Sequence, residues 1–82
     1  MIINKYPNHT EYRNDKGHIH RTDGPAVEYD NGNKYWYING QPHRIGGPAT
    51  ENTISGYKKY YLNGIEHSFE EWDRLRKLLI LI

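Results

Sequence analysis

The sequence repeats itself at a period too short for a free-standing domain. Gly17-His18-Ile19-His20-Arg21-Thr22-Asp23-Gly24-Pro25-Ala26 returns 23 residues later as Gly40-Gln41-Pro42-His43-Arg44-Ile45-Gly46-Gly47-Pro48-Ala49. Tyr37-Ile38-Asn39-Gly40 returns 24 residues later as Tyr61-Leu62-Asn63-Gly64, and Gly64-Ile65-Glu66-His67 opens a third copy with no Gly-Pro-Ala. Gly17, Gly40 and Gly64 each have a histidine three residues on. Units of this size gain stability by stacking on their neighbours, so the repeat predicts an array.

Each unit reads as β-structure. Asn39-Gly40 and Asn63-Gly64 lie between strand-like runs and fit two-residue type I′ turns, which need positive φ at both positions; Asn31-Gly32 carries the same signal. The runs 26–30, 34–38 and 57–62 are rich in aromatic and β-favouring residues. Alternation puts Tyr35 and Tyr37 on one face and Trp36 and Ile38 on the other, and the repeat sets Tyr60 in the place of Trp36. Proline donates no ladder hydrogen bond, so each Gly-Pro-Ala is expected at the corner between one hairpin and the next.

After His67 the period changes. Ser68-Phe69-Glu70-Glu71 fits a capping box, in which Ser68 accepts from a first-turn amide while Glu71 reaches back. Phe69, Trp72, Leu75, Leu79 and Ile82 recur at helical spacing and predict an amphipathic helix over about 69–80. Acidic Glu70, Glu71 and Asp73 precede basic Arg74, Arg76 and Lys77, as the helix dipole prefers. The helix is expected to lie across the aromatic face of the meander. The expected architecture is thus mainly β (α+β), one domain over 1–82: an antiparallel meander of stacked hairpins, about 8–67, closed by a C-terminal amphipathic helix.

Composition narrows the setting. Leu, Ile, Val and Phe are only 16 of the 82 residues, but eight tyrosines and two tryptophans supply further apolar area. A formal net charge of +1 argues against wholesale disorder and against a global field for long nucleic acid. No run is long enough to span a membrane. The absence of cysteine excludes disulfides and cysteine-zinc sites, and is compatible with a reducing cytoplasm. The first residues carry no secretory h-region. A domain this small is marginal alone. Leu78, Leu79, Ile80, Leu81 and Ile82 are apolar all round, so a dimer through this tail is expected.

Gly-x-x-His-Arg-x-x-Gly-Pro-Ala, followed by an aromatic strand and Asn-Gly, resembles the MORN-like repeats of phage and giant-virus proteins. The resemblance spans roughly residues 12–67 and implies stacked hairpins and a viral origin. It also implies a role in assembly, dimerisation or lipid or protein contact. Two positions depart from it: Gly46 stands where Asp23 would predict an acid, and Ser68 where arginine is expected. If Asp23 pairs with an arginine, the second copy cannot repeat that pair.

Candidate chemistry follows. His18 and His20 share a strand face, and His43 and His67 follow on later hairpins. Recurrence at repeat spacing makes His20, His43 and His67 scaffold residues bonding neighbouring turns, so neither a metal site nor a cofactor is expected. Ser55 and Ser68 have no histidine-acid constellation, which leaves no catalytic group and predicts a non-enzyme. Glu28 and Glu51 are repeat-equivalent and read as solvent-facing. Arg21, Arg44, His20, His43, Trp36 and Tyr60 are the candidate contact residues for a partner or ligand. The leading expectation is a phage accessory protein in the cytoplasm of the infected bacterium, binding and inhibiting a host defence or regulatory protein. The alternatives are a nucleotide or RNA binder, with Trp36 or Tyr60 stacking and Arg21 or Arg44 on phosphate, and a small virion or assembly component.

Overall fold

The computed structural model describes residues 1–81. Its strands are β1 (Ile2–Lys5), β2 (His9–Arg13), β3 (Val27–Tyr29), β4 (Lys34–Tyr35), β5 (Tyr37–Ile38), β6 (Gln41–Pro42), β7 (Thr50–Glu51), β8 (Lys58–Leu62) and β9 (Ile65–His67). One helix, α1 (Phe69–Leu81), follows. Seven strands form an antiparallel sheet in the order β1-β2-β3-β4-β7-β8-β9, while β5 and β6 pair separately. This is the expected meander of hairpins with one C-terminal helix. A further hairpin, β1-β2, precedes the first repeat motif.

Turn chemistry is legible residue by residue. Asn39 and Gly40 have φ of 49° and 79°, and Asn63 and Gly64 have 50° and 83°, as a type I′ turn requires. Asn31-Gly32 differs from its expected form. Only Gly32 has positive φ, at 96°. The Gly32 amide donates to the Tyr29 carbonyl and the Tyr29 amide to Asn33, a three-residue loop with glycine in the bulge position.

The aromatic strand of the second repeat is split at Trp36. Lys34 and Tyr35 pair with β3 and β7, whereas Tyr37 and Ile38 pair with β6. The Trp36 amide reaches the Ala49 carbonyl while its own carbonyl accepts from His43. Each repeat thereby feeds two hydrogen-bonded systems, the main sheet and a row of short hairpins. Successive hairpins are tied together: Arg21 N–H donates to Tyr37, Gly40 to Ile19, Arg44 to Tyr61 and Gly64 to Pro42. The register of the main sheet places Glu28 opposite Lys34, Lys34 opposite Glu51, and Glu51 opposite Lys58. Opposite charges alternate across four strands and favour this pairing over a slipped one.

The core is thin. The buried hydrophobics are Ala26, Val27, Ala49, Leu62 and Trp72, with both alanines fully buried. Extents of 38 × 32 × 17 Å describe a slab little thicker than one sheet and its side chains. Aromatic stacking supplements the core. His9 stacks between Tyr6 and Tyr29, with ring centroids 4.6 and 4.9 Å away, and Tyr29 meets the edge of Tyr35 at 5.9 Å.

Helix α1 starts as its sequence predicts and docks elsewhere than expected. Ser68 Oγ accepts from Glu71 N–H at 3.2 Å, an N-cap. The Glu71 carboxylate pairs with His67 instead of reaching back to the cap. The helix packs on β8 and β9, the last hairpin, and does not lie across the meander. It also runs one residue past its expected end, so Arg74, Arg76 and Lys77 sit in its middle and the last turn carries no base. Leu78, Leu79 and Ile80 are 57%, 41% and 56% exposed. With Leu62, Ile65 and Leu75, Leu78 and Leu79 line an open apolar groove of about 310 Å³. Ile82 and the side chain of Leu81 lie outside the described residues. No described helix is long and apolar enough to cross a membrane.

Candidate functional site

The conserved spacing of the two full repeats builds the same device twice. In the first, Arg21 folds back over its own loop: Nη1 donates to the Pro25 carbonyl at 3.1 Å and to Glu28 Oε1 at 2.8 Å. Its guanidinium carbon sits 4.0 Å from the centre of the Tyr12 ring. In the second, Arg44 Nη1 donates to the Pro48 carbonyl and to Glu51 Oε1, each at 3.1 Å, and the guanidinium lies 3.7 Å from the centre of the Trp36 ring system. The glycine of Gly-Pro-Ala lies tight against the folded-back guanidinium. A Cβ on Gly24 would lie 3.0 Å from Arg21 Cζ, and one on Gly47 would lie 2.9 Å from Arg44 Nη1. Glu28 and Glu51 are therefore partners of these arginines, and the expectation of two glutamates simply facing solvent is corrected.

The histidines act as turn acceptors. His20 Nδ1 accepts from Asn39 N–H and His43 Nδ1 from Asn63 N–H, both at 2.9 Å. Each fastens one hairpin to the next. Burial pushes the His43 imidazole below its ordinary range, which favours the neutral form that this acceptor role needs. His67 has no later Asn-Gly turn to bond among the described residues, and it pairs with Glu71 instead. No group of three or more His, Asp or Glu side chains converges as a metal site among the described residues.

Between the two arginine loops lies an open cleft of about 790 Å³. The candidates Arg21, Trp36, His43 and Arg44 line it, joined by Ile38 and Ile45. The loop residues Thr22, Asp23, Gly24 and Gly46 complete the wall. Ile38 was legible from alternation, which sets it on the face of Trp36. Ile45, 39% exposed, carried no pattern of its own, because its position depends on how the Arg44 loop folds back.

Two candidates fall outside the cleft. His20 is committed to the Asn39 turn. Tyr60 packs beneath α1, its ring centroid 4.7 Å from Trp72 and 5.3 Å from Phe69. The reason is the missing arginine: the third unit has Ser68 in that position, and the helix it caps delivers Trp72 to the uncovered ring. Trp72 is 3% exposed, and its indole N–H donates to the Arg44 carbonyl at 2.9 Å. Arg76 lies 4.9 Å from the Trp72 ring centre and pairs with Asp73. Comparison with protein-family models, with curated protein sequences and with solved structures finds no match to this chain.

Proposed function

We propose that this protein is a non-enzymatic phage accessory protein that binds a host bacterial protein through the cleft between its arginine loops and inhibits it. The observation that carries the binding role is the cleft. It presents Trp36, Ile38 and Ile45 between two arginine loops on hydrogen-bonded hairpins, and arginine and tryptophan are over-represented at binding hot spots. Preorganisation lowers the entropic cost of docking. The viral setting and the cytoplasm of the infected bacterium rest on the resemblance of the Gly-x-x-His-Arg-x-x-Gly-Pro-Ala units.

The nucleotide or RNA reading has less support. Arg44 already occupies a face of Trp36, Tyr60 lies under the helix, and both arginines are paired with glutamates. Self-association through the helix end is part of the proposal, since Leu78, Leu79 and Ile80 are exposed beside an apolar groove. Ending the chain at Lys77 should then lower the mass in sedimentation from dimer to monomer. The main test is capture from bacterial lysate. The intact protein should retain a bacterial protein and Ile45→Glu should lose it at unchanged melting temperature. Retained nucleotide or nuclease-sensitive RNA, with no protein, would overturn the reading.

A further inference from the structure

The two arginine devices differ in one place. Arg21 Nε donates to Asp23 Oδ1 at 2.9 Å, so its guanidinium holds two carboxylates, Asp23 and Glu28. The residue matching Asp23 is Gly46, which has no side chain. Arg44 keeps Glu51 and the Pro48 carbonyl through Nη1, and among the described residues its Nε and Nη2 have no hydrogen-bond partner. Both Arg44 and Gly46 line the cleft. The space beside Gly46 is open: a Cβ built there meets nothing within 4 Å.

We propose that the vacancy beside Gly46 is a carboxylate-binding site, filled by an aspartate or glutamate side chain of the partner protein where Asp23 fills it internally. The first repeat is the template, because it shows the same guanidinium accepting a second carboxylate while stacked on an aromatic ring. Adding one carboxylate to Arg44 reproduces the charge balance around Arg21: one arginine with two acids. A dianionic phosphate would exceed that balance at a guanidinium whose single charge Glu51 already offsets. The walls also favour a side chain presented by a protein. Trp36, Ile38 and Ile45 offer apolar surface to the residues flanking the acid, and a charge-assisted hydrogen bond strengthens where water is displaced. His43 contributes no competing acceptor at Nδ1, which the Asn63 amide already occupies. With Nδ1 accepting, the neutral ring carries its proton on Nε2.

This deepens the host-protein reading and rests on it for the source of the carboxylate. The test uses the full-length, ¹⁵N-labelled protein and follows the Arg44 Nε–H and Gly46 amide resonances. The probes are acetyl-Ile-Asp-amide, acetyl-Ile-Asn-amide and inorganic phosphate at constant ionic strength. The aspartate peptide should shift both signals saturably, and the asparagine peptide should bind at least about tenfold more weakly, as loss of a charge-assisted bond implies. Gly46→Asp should abolish the response by filling the site in cis. Asp23→Gly should create a matching response at the Arg21 Nε–H by removing its internal acceptor, a second variant that leaves Gly46 untouched. Equal binding of the two peptides, tighter saturable binding of phosphate, an undiminished response in Gly46→Asp, or no response at Arg21 in Asp23→Gly would each overturn the proposal. A bacterial protein held equally by wild type and Gly46→Asp defeats the carboxylate site alone. An aspartate response in a protein that retains no bacterial protein defeats only the host-protein reading.

Discussion

The second repeat and the last unit solve the same packing problem with different chemistry. Both present an aromatic ring at the same repeat position, Trp36 or Tyr60. In the second repeat the ring is covered by Arg44, whose guanidinium is anchored to Pro48 and Glu51. In the last unit Ser68 replaces the arginine, and the ring is covered by Trp72 from α1. An arginine cover is local and leaves a polar, charged rim. A helix cover is apolar and ends the array. The difference explains why α1 docks chiefly on β8 and β9: the rings of the earlier repeats are already occupied.

The largest expected effect breaks the helix cover. Trp72 is buried, holds Tyr60 and bonds the Arg44 carbonyl, so Trp72→Ala should cost about 3–5 kcal/mol, the range for large aromatic truncations in a core. Chemical denaturation should show it, with loss of helical circular dichroism preceding loss of the β signal. A fully cooperative loss of both would mean that the two covers are not separable.

A smaller effect tests the arginine cover. Gly47→Ala puts a methyl group where the Arg44 guanidinium lies and should cost about 1–2 kcal/mol by displacing it from Trp36 and Glu51. In an Arg44→Ala background the obstacle is gone. The same change should then be neutral or stabilise by about 0.5 kcal/mol, because alanine restricts the unfolded chain. A cost that stays the same in both backgrounds would show that the glycine serves the loop backbone instead of the guanidinium.

The smallest effect lies at the joint between the two regions. His43 bonds the Asn63 turn of the last unit, and His43→Ala should cost about 1 kcal/mol. Its folded-state pKa lies below the unfolded value of 6.5. The unfolded chain therefore takes up the proton first, and this contribution is complete above about pH 6.5 and lost as pH falls toward the folded value. Melting temperature should drop between pH 7.5 and 5.5 in the wild type, with a shallower drop in His43→Ala. That window lies above the ordinary range of Glu71 and Asp73, both of which are held lower still: Glu71 chiefly by its bond to His67, and Asp73 by those to Lys77 and Arg76.

Much of the fold was legible because repeats, turns and caps are local. Asn39-Gly40 and Asn63-Gly64 need left-handed backbone, Ser68 needs only the next turn of helix, and His20 and His43 needed only to recur. The site was half legible. Arg21, Arg44, Trp36 and His43 stood out by type and spacing. Nothing local says that Arg44 turns back to Trp36, eight residues earlier, while Tyr60 meets a residue twelve positions later. Both are contests for one ring face, decided by which side chain the folded chain delivers.

By itself the sequence determined the repeat, the turns that reverse it, the point where β gives way to helix, and the positions at which the copies differ. Those properties follow from backbone preferences and near-neighbour hydrogen bonds. Only the tertiary structure decided which ring each arginine covers, where the helix docks, and that Gly46 leaves a vacancy beside a guanidinium. Cover and vacancy depend on distances between residues remote in sequence, and these exist only once the hairpins are stacked.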